Sequence, residues 1–337
     1  MKQGKTRRLL YELLILALTL ILLWALLFQL GCWLMPQRTV YGAVWSSYLQ
    51  EAKNSVDLLF LGSSRVYCDV IPAELYAKTG VTSYVMAGPS QTTPLSYRYL
   101  RQCLRTQQPK YVLLEVSGAF FPDVGKDVKA NVCYMPLSLD RLLALQSCRE
   151  GTLDLALFPL QEFHYRIYDK LNEQPPQYDG TLLCGYTPLS EAKAQPAQRT
   201  LRTGGVQPGS EAWEENLEYL SRIAALCAER GIPCVCFLAP MRDLYPDGEV
   251  ETLLEALRAM PGVTAAEDWR RLDEALSIDP ATGWYDNIHF NTDGALVFTD
   301  FLADYVKDLG LTPTPNADAA LWQSRLDYVL AVGTNQP

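Results

Sequence analysis

The chain contains a serine and an aspartate–histidine pair whose types and positions suit nucleophilic catalysis. Ser64 stands in the sequence LGSSR, directly after a short apolar run, and His289 is one of only two histidines in the chain. Asp286 precedes His289 by three residues. An aspartate placed in this way can hold the imidazole through Nδ1, which leaves Nε2 free to take the proton of a serine. We therefore predict Ser64 as nucleophile, His289 as base and Asp286 as the orienting acid.

Each motif also has a plain structural explanation. Gly-Ser-Ser occurs in many loops, where a serine caps the helix that follows. An Asp-x-x-His sequence on a surface turn can be incidental. Two facts favour the catalytic interpretation: Ser64 follows a strand, where ligands of parallel sheets gather, and the chain offers few histidines for the role of base.

Short apolar runs alternate with helical patterns through most of the chain. Five runs predict buried parallel strands at 56–61, 81–86, 111–116, 233–238 and 263–266. Apolar spacing, Pro and Gly predict helices at 72–79, 94–106, 211–230 and 292–309. This alternation predicts an α/β sandwich with right-handed crossovers, in which Ser64 and His289 meet at the carboxyl edge of one sheet.

These motifs resemble the SGNH (GDSL) hydrolase superfamily. Its first block corresponds to Gly62-Ser63-Ser64 and its last block to Asp286-x-x-His289, so the resemblance covers roughly residues 55–310. It implies a three-layer α/β/α fold with a parallel, flavodoxin-like sheet and a Ser64, Asp286, His289 triad. The Gly-Ser-Ser block is similar to the exported, membrane-anchored branch that includes teichoic acid D-alanyl transfer and alginate O-acetylation proteins. That branch also tolerates serine in place of the family aspartate at Ser63.

The resemblance also implies an oxyanion hole, in which this chain departs from the family. The family uses the amide of the nucleophile, a glycine amide after strand two and an asparagine after strand three. Ser64 and either Gly88 or Ser90 fit the first two positions, but the sequence EVSGA after strand three has no asparagine. Either Ser117 or a backbone amide substitutes, or the enzyme is slow, or it is inactive, because one such donor is worth roughly 100-fold or more in rate.

Three further residues are candidate substrate contacts: Arg65, beside the nucleophile, and His164 and Arg166, in an insertion after strand three. His164 also fits the alternative of a satisfied polar residue among aromatics. Glu115, at the end of strand three, is interpreted as a structural carboxylate. The nine cysteines lack metal-ligand spacing, and their odd number cannot all pair, so we interpret most of them as core residues. No metal and no other cofactor is expected.

The sequence begins with a basic tail and a long apolar run. Residues 9–35 are long enough to span a bilayer, and Lys2, Lys5, Arg7 and Arg8 precede them. The positive-inside rule places the N-terminus in the cytoplasm and the body outside, in a single-pass protein of the cell membrane. A cleaved secretory signal and a lipoprotein signal ending at Cys32 are the alternatives.

Composition and patterning complete the predicted organisation of this 337-residue chain. Its net charge is −9, and the residues after Arg8 hold 25 basic against 38 acidic side chains, which argues against nucleic acid as a partner. The expected segments are a cytoplasmic tail (1–8), an anchor (9–35), a linker (36–54), an α/β domain (55–310) with a lid-like insertion at about 120–209, and a C-terminal tail (311–337) with an amphipathic stretch at 317–332.

The sequence as a whole predicts an extracytoplasmic serine esterase or O-acyltransferase. Its expected partner is an acylated cell-surface glycan or wall polymer, with a multi-span membrane acyltransferase as a further candidate partner. Hydrolysis and transfer use the same residues, so the sequence leaves both open. The alternative is an inactive SGNH-like scaffold or glycan-binding protein of an envelope assembly complex.

Overall fold

The structure is a computed structural model, and it describes residues 2–122, 127–146, 153, 157–190, 198–315 and 317–334. The chain divides into two compact units. The first comprises Met1–Gln37 and Gly151–Pro175, and the second comprises Arg38–Glu150 and Pro176–Pro337. We describe each unit by itself.

The regular elements are numbered along the chain. The strands are β1 (Leu58–Gly62), β2 (Ser83–Ala87), β3 (Tyr111–Glu115), β4 (Thr200–Leu201), β5 (Cys234–Leu238), β6 (Asp243–Leu244) and β7 (Val263–Asp268). The helices are α1 (Lys2–Leu34), α2 (Trp45–Tyr48), α3 (Ser64–Tyr67), α4 (Pro72–Thr79), α5 (Thr93–Cys103), α6 (Val128–Val132), α7 (Leu139–Gln146), α8 (Pro159–Phe163), α9 (Ile167–Leu171), α10 (Gly180–Leu183), α11 (Glu211–Glu229), α12 (Asp247–Arg258), α13 (Leu272–Ala275), α14 (Thr292–Asp308) and α15 (Ala319–Thr334). Short 3-10 turns cover Ser117–Phe120 and His164–Arg166.

The second unit is built on a five-stranded parallel sheet in the order β2-β1-β3-β5-β7. Strands β1, β2 and β5 are buried along their whole length, which explains why they are mostly apolar in the sequence. Gly62 at the end of β1 pairs with Ala87 at the end of β2, so the loops that follow these strands start side by side. Strands β4 and β6 form a separate parallel pair.

The predicted elements of the α/β pattern are present. All five predicted strands occur with ends shifted by at most two residues, and the predicted helices correspond to α4, α5, α11 and α14. Helix α12 escaped prediction, although its buried residues Val250, Leu253, Leu254 and Leu257 recur at helical spacing.

The segments expected to flank the domain belong to its core in part. In the predicted linker 36–54, α2 buries Trp45 against Tyr99 and Tyr48 against Tyr84, with ring centroids 4.7 and 5.2 Å apart. Part of the predicted linker thus packs on the sheet unit, and buried aromatic rings of this size contribute strongly to folding. The predicted tail forms α15, which buries Val329 and pairs Arg325 with Glu51.

The insertion expected at 120–209 is divided between the two units. Residues 151–175 group with α1, whereas the parts before and after them group with the sheet. Within the second unit, α7 is fixed to α5 by Asp140, which accepts from Arg101 and Arg105 at 2.7 Å each. Four stretches of this insertion lie outside the described residues: 123–126, 147–152, 154–156 and 191–197.

The cysteines fit the expected role as small core residues. The eight in the described part of the chain are free thiols, and all except Cys32 are buried. Cys148 lies outside the described residues. Burial raises the pKa of the Cys103 thiol to about 12, which leaves it un-ionised at neutral pH.

Candidate active site

The nucleophile turn connects β1 to α3. Gly62 has φ +153°, and a Cβ there would lie 2.6 Å from Val66 Cγ2 and 2.7 Å from Glu115 Cβ. Only glycine fits this crossing point between β1 and β3. Ser63 and Arg65 are buried, whereas Ser64 at the start of α3 is half-buried. The turn therefore brings the Ser64 side chain toward the surface, while the side chains of Ser63 and Arg65 stay buried.

The acid and the base share one tight loop before α14. An antiparallel bridge between Trp284 and Phe290 closes the loop, and the Tyr285 N–H donates to the His289 carbonyl at 3.0 Å. The Asp286 carboxylate accepts the backbone N–H groups of Ile288 at 2.9 Å and His289 at 3.0 Å. These bonds fix the carboxylate inside the loop before it contacts the imidazole.

The two turns meet in the geometry of a catalytic triad. His289 Nε2 lies 2.7 Å from Ser64 Oγ, within the 4 Å that we expected for an active site. His289 Nδ1 lies 3.0 and 3.1 Å from the two Asp286 carboxylate oxygens. This arrangement favours the tautomer that carries the proton on Nδ1 and presents the Nε2 lone pair to the serine.

The residues expected to supply the oxyanion hole follow β2. Gly88 comes directly after Ala87 and therefore lies beside the nucleophile turn, because Ala87 pairs with Gly62. The space of its missing side chain is filled, since a Cβ there would lie 1.9 Å from Asn131 Oδ1. The Asn131 side-chain amide donates to the Pro89 carbonyl at 2.9 Å and so supports this turn. Ser90 follows with φ +47° and is half-buried.

Ser117 was considered as a substitute for the family asparagine, but both of its donors are hydrogen-bonded to Glu115. Its hydroxyl donates to Glu115 Oε2 at 2.7 Å and its N–H donates to Glu115 Oε1 at 3.0 Å, and the residue is fully buried. Its hydroxyl is therefore engaged by a carboxylate. A backbone amide is therefore the remaining candidate for the third donor of the oxyanion hole.

Glu115 holds the nucleophile turn on both sides of Ser64, as a structural carboxylate. Besides Ser117, it accepts a hydrogen bond from Ser63 Oγ at 3.4 Å and forms an ion pair with Arg65, whose Nη1 lies 3.9 Å from Oε1. Burial raises the pKa of the Glu115 carboxyl, while Arg65 and the serine donors act in the opposite direction.

Arg65 lies below the surface of the site. The side chain is 2% exposed, and its guanidinium sits 5.6 Å from the Tyr245 ring centroid and 5.8 Å from that of Phe121. Its Nη2 donates to the Tyr245 hydroxyl at 3.5 Å. The guanidinium is therefore held by other residues of the protein, and a contact of Arg65 with substrate stays a prediction.

The other two candidate contacts, His164 and Arg166, belong to the first unit. Arg166 Nη1 donates to the Leu34 carbonyl at 2.7 Å, and its Nη2 donates to Glu173 at 3.2 Å. His164 Nδ1 lies 2.9 Å from the Gln161 carbonyl. Both residues belong to the compact unit that contains α1, whereas the triad belongs to the other unit. Their contact with substrate therefore stays a prediction.

Asp69 is a residue of the site that sequence reasoning missed. It is fully buried, and its Oδ1 accepts the backbone N–H of Phe290 at 2.9 Å. Burial raises the pKa of this carboxyl well above its usual range. The available signal was a lone acid inside the apolar run from Val66 to Ile71, because a buried acid needs a partner.

The chain matches no protein-family model, and no curated protein sequence matches it. The functional interpretation therefore rests on the geometry of the triad and of the residues that hold it.

Proposed function

We propose that the chain is an extracytoplasmic serine esterase or O-acyltransferase of the SGNH type. The observation that carries the proposal is the contact of 2.7 Å between His289 Nε2 and Ser64 Oγ, with Asp286 on the far side of the imidazole. A nucleophile, a base and an orienting acid in this order are the parts needed for acyl transfer through a serine ester.

In this mechanism, His289 Nε2 takes the proton of Ser64 as Oγ attacks the carbonyl carbon of an ester. The amides of Ser64 and Gly88 donate hydrogen bonds to the oxyanion of the tetrahedral intermediate. The imidazolium returns its proton to the departing alcohol, and the acyl group remains on Ser64. Water or a sugar hydroxyl, deprotonated by His289, then attacks the acyl-enzyme and regenerates Ser64.

The topology supports the same family assignment. When the five strands of the main sheet are counted alone, their order is 2-1-3-4-5, which is the order of doubly wound, flavodoxin-like sheets. In such sheets ligands bind beyond the carboxyl ends of the strands, where Ser64 follows β1 and Gly88 follows β2. We infer a three-layer α/β/α sandwich on this basis.

The substrate class follows from the proposed location. Helix α1 is, among the described residues, the one helix long and apolar enough to cross a membrane, and basic residues precede it. With the N-terminus in the cytoplasm, the triad faces acyl groups of a surface polysaccharide or wall polymer. A multi-span membrane acyltransferase is the partner that would supply acyl groups. Hydrolysis and transfer differ in whether water is excluded from the acyl-enzyme.

A scaffold without catalysis is the second candidate function. The observation in its favour is that Ser117 is engaged by Glu115 and that the block at the end of β3, EVSGA, has no asparagine. The loss of one oxyanion donor lowers turnover by about 100- to 1,000-fold. An SGNH-like protein weakened in this way could serve a glycan-binding role in an envelope assembly complex.

Labelling with a fluorophosphonate separates the two candidates. For the enzyme, we expect the full-length protein in detergent to be labelled, Ser64→Ala to abolish labelling, and Ser63→Ala to keep it. Ser63 is the matched control, because it is the adjacent serine and its hydroxyl faces Glu115. The absence of both labelling and acetyl-ester turnover in the wild type would favour the scaffold. Labelling that survives Ser64→Ala would show that Ser64 is not the nucleophile.

A further inference from the structure

The first unit exposes a row of apolar and aromatic side chains on the segment 157–171. Tyr165, Tyr168 and Leu171 are spaced by three residues, which places them on one side of the 3-10 turn and α9. The exposed apolar residues of this segment are Phe158, Tyr165, Ile167, Tyr168 and Leu171. A patch of this kind marks a surface that meets something other than water.

The same segment packs along the C-terminal end of α1. The Trp24 indole donates to the Leu157 carbonyl at 3.0 Å. At Gly31 the two backbones are in direct contact, since a Cβ there would lie 2.2 Å from the Leu160 nitrogen. An apolar cavity of about 300 Å³ remains beside this contact and is lined by Leu27, Phe158, Leu160, Gln161 and His164. The segment is thus seated on a helix long enough to cross a membrane.

The polar groups of this segment are used to fix it to the end of α1. Arg166 donates to the Leu34 carbonyl, one of the last carbonyls of the helix, and also to Glu173. Lys170 pairs with Glu173 at 2.5 Å, and Glu173 accepts the Gln37 N–H at 3.3 Å. A basic side chain on a helix C-terminus satisfies a carbonyl that has no partner within the helix. The basic side chains therefore face the chain, while Asp169 and the aromatic rings remain exposed.

The contacts with α1 fall at the expected edge of the hydrocarbon layer. The predicted anchor 9–35 has more residues than the about 20 that cross about 30 Å of hydrocarbon. When Leu9 is taken as the first residue in the hydrocarbon layer, the last lies near Phe28, and residues 29–35 extend into the headgroup layer. The contact at Trp24 lies about one helical turn before that point, and the contacts at Gly31 and Leu34 lie beyond it. The segment 157–171 therefore occupies the level of the lipid headgroups.

We propose that residues 157–171 form an interfacial membrane element that inserts Tyr165, Tyr168 and Leu171 between the phospholipid headgroups at the C-terminal end of α1. Tyrosine suits this position, because its ring enters the acyl boundary while its hydroxyl reaches water. A short amphipathic helix gains affinity from buried apolar area in the same way. The inference rests on the anchor of the proposed function and replaces a lid by a lipid contact for this part of the insertion.

Photo-crosslinking in vesicles tests the lipid contact. Three leucines of similar exposure serve as reporter positions: Leu16 in α1 (54%), Leu171 (68%) and Leu201 in β4 of the second unit (64%). Each is replaced in turn by p-benzoylphenylalanine, and the full-length protein is reconstituted into phosphatidylcholine–phosphatidylglycerol vesicles, irradiated and analysed for phospholipid adducts by mass spectrometry. All three changes are at exposed side chains, and fluorophosphonate labelling or a melting curve checks that each variant is folded.

We expect phospholipid adducts at Leu16 and Leu171 in comparable yield, and about tenfold less at Leu201, since the proposal assigns lipid contacts to the first unit alone. Adducts at Leu16 without adducts at Leu171 would overturn the interfacial element and leave the anchor intact. The absence of adducts at Leu16 would overturn the anchor on which the proposal rests. Equal yields at Leu171 and Leu201, or peptide adducts at Leu171 that join it to the second unit, would also overturn the interfacial element. None of these outcomes depends on esterase activity.

Discussion

The Asp69 carboxylate accepts a hydrogen bond from the backbone N–H of Phe290 at 2.9 Å. Asp69 follows Ser64, the proposed nucleophile, by five residues, and Phe290 directly follows His289, the proposed base. This bond joins the segment after β1 to the loop before α14, which are 221 residues apart in sequence. We interpret Asp69 as a positioning residue that sets the distance between the imidazole and the serine.

Two substitutions at Asp69 separate its hydrogen bond from its charge. Asp69→Asn keeps an oxygen for the Phe290 N–H, so we expect little loss of stability at neutral pH. Asp69→Ala leaves that buried N–H without an acceptor and should lower the free energy of unfolding by about 1–3 kcal/mol. Urea unfolding measures both variants. Equal stability of the Asn and Ala variants would contradict the role of the bond.

The raised pKa of the Asp69 carboxyl predicts that the free energy of unfolding depends on pH. Burial raises the pKa of this carboxyl, aided by Asp286 and Glu115 and opposed by Arg65 and the Phe290 N–H. Between the ordinary carboxyl pKa and the raised value, the folded protein binds more protons than the unfolded chain, so stability falls as pH rises through that window. Asp69→Asn should show a shallower decline in the free energy of unfolding, and some slope should remain because burial also raises the pKa of Glu115. An unchanged slope would contradict the assignment.

The triad predicts a graded loss of turnover. His289→Ala removes the base and should lower kcat/KM for an activated acetyl ester by about 1,000-fold or more. Asp286→Asn keeps an oxygen for the N–H groups of Ile288 and His289 but disturbs the imidazole tautomer, so its loss should be severe and somewhat smaller. Asp279→Asn is the matched control, because Asp279 is exposed and its side chain accepts a backbone N–H in a similar turn.

A side chain at Gly88 is predicted to displace the Asn131 amide. Gly88→Ala would place a methyl group 1.9 Å from Asn131 Oδ1, so the Asn131 side chain must turn away and give up its hydrogen bond to the Pro89 carbonyl, and we expect a loss of about 0.5–1.5 kcal/mol in stability together with slower serine labelling. Gly248→Ala is the matched control, since a Cβ at Gly248 in α12 meets no atom within 4 Å and should be neutral or slightly stabilising. Thermal melts and labelling rates compare the two variants. Equal effects would show that the Asn131 contact does not constrain the turn.

The elements that the sequence predicted are those set by local patterns. Buried strands such as β1 and β5 are unbroken apolar runs, and α11 carries its apolar residues at helical spacing. The pairing of Ser64 with His289 was also predictable, because both follow from where parallel strands end and from the scarcity of histidine.

The features that escaped prediction depend on contacts between distant segments. Trp45 is buried by Tyr99 on α5, which no pattern around residue 45 indicates. Arg65 is drawn below the surface by Glu115 and Tyr245, 50 and 180 residues away. The local sequence around Arg65 shows only a charged residue beside a serine. It is the same whether the partner of that charge is the substrate or a buried carboxylate.

The serine at position 63, where the resembled family has aspartate, is buried against Glu115. Ser63 Oγ donates to Glu115 Oε2, and both residues are buried. A carboxylate in place of the Ser63 hydroxyl would face the Glu115 carboxylate without water to screen the repulsion. Buried like charges this close cannot both ionise without a large energetic cost. The identities of residues 63 and 115 are therefore coupled.

A double-mutant cycle tests this coupling. Ser63→Asp alone should lower the free energy of unfolding by about 2–4 kcal/mol, because it buries a second charge beside Glu115. Glu115→Gln alone should also be destabilising, by about 3–5 kcal/mol, because it leaves the buried Arg65 guanidinium without a carboxylate partner. In the double variant the glutamine amide can donate to the new carboxylate, so the combined loss should fall short of the sum by about 1–3 kcal/mol. Ser210→Asp, at the N-cap of α11, is the matched control for the serine change and should be nearly neutral. Additive effects of Ser63→Asp and Glu115→Gln would show that the two positions do not interact.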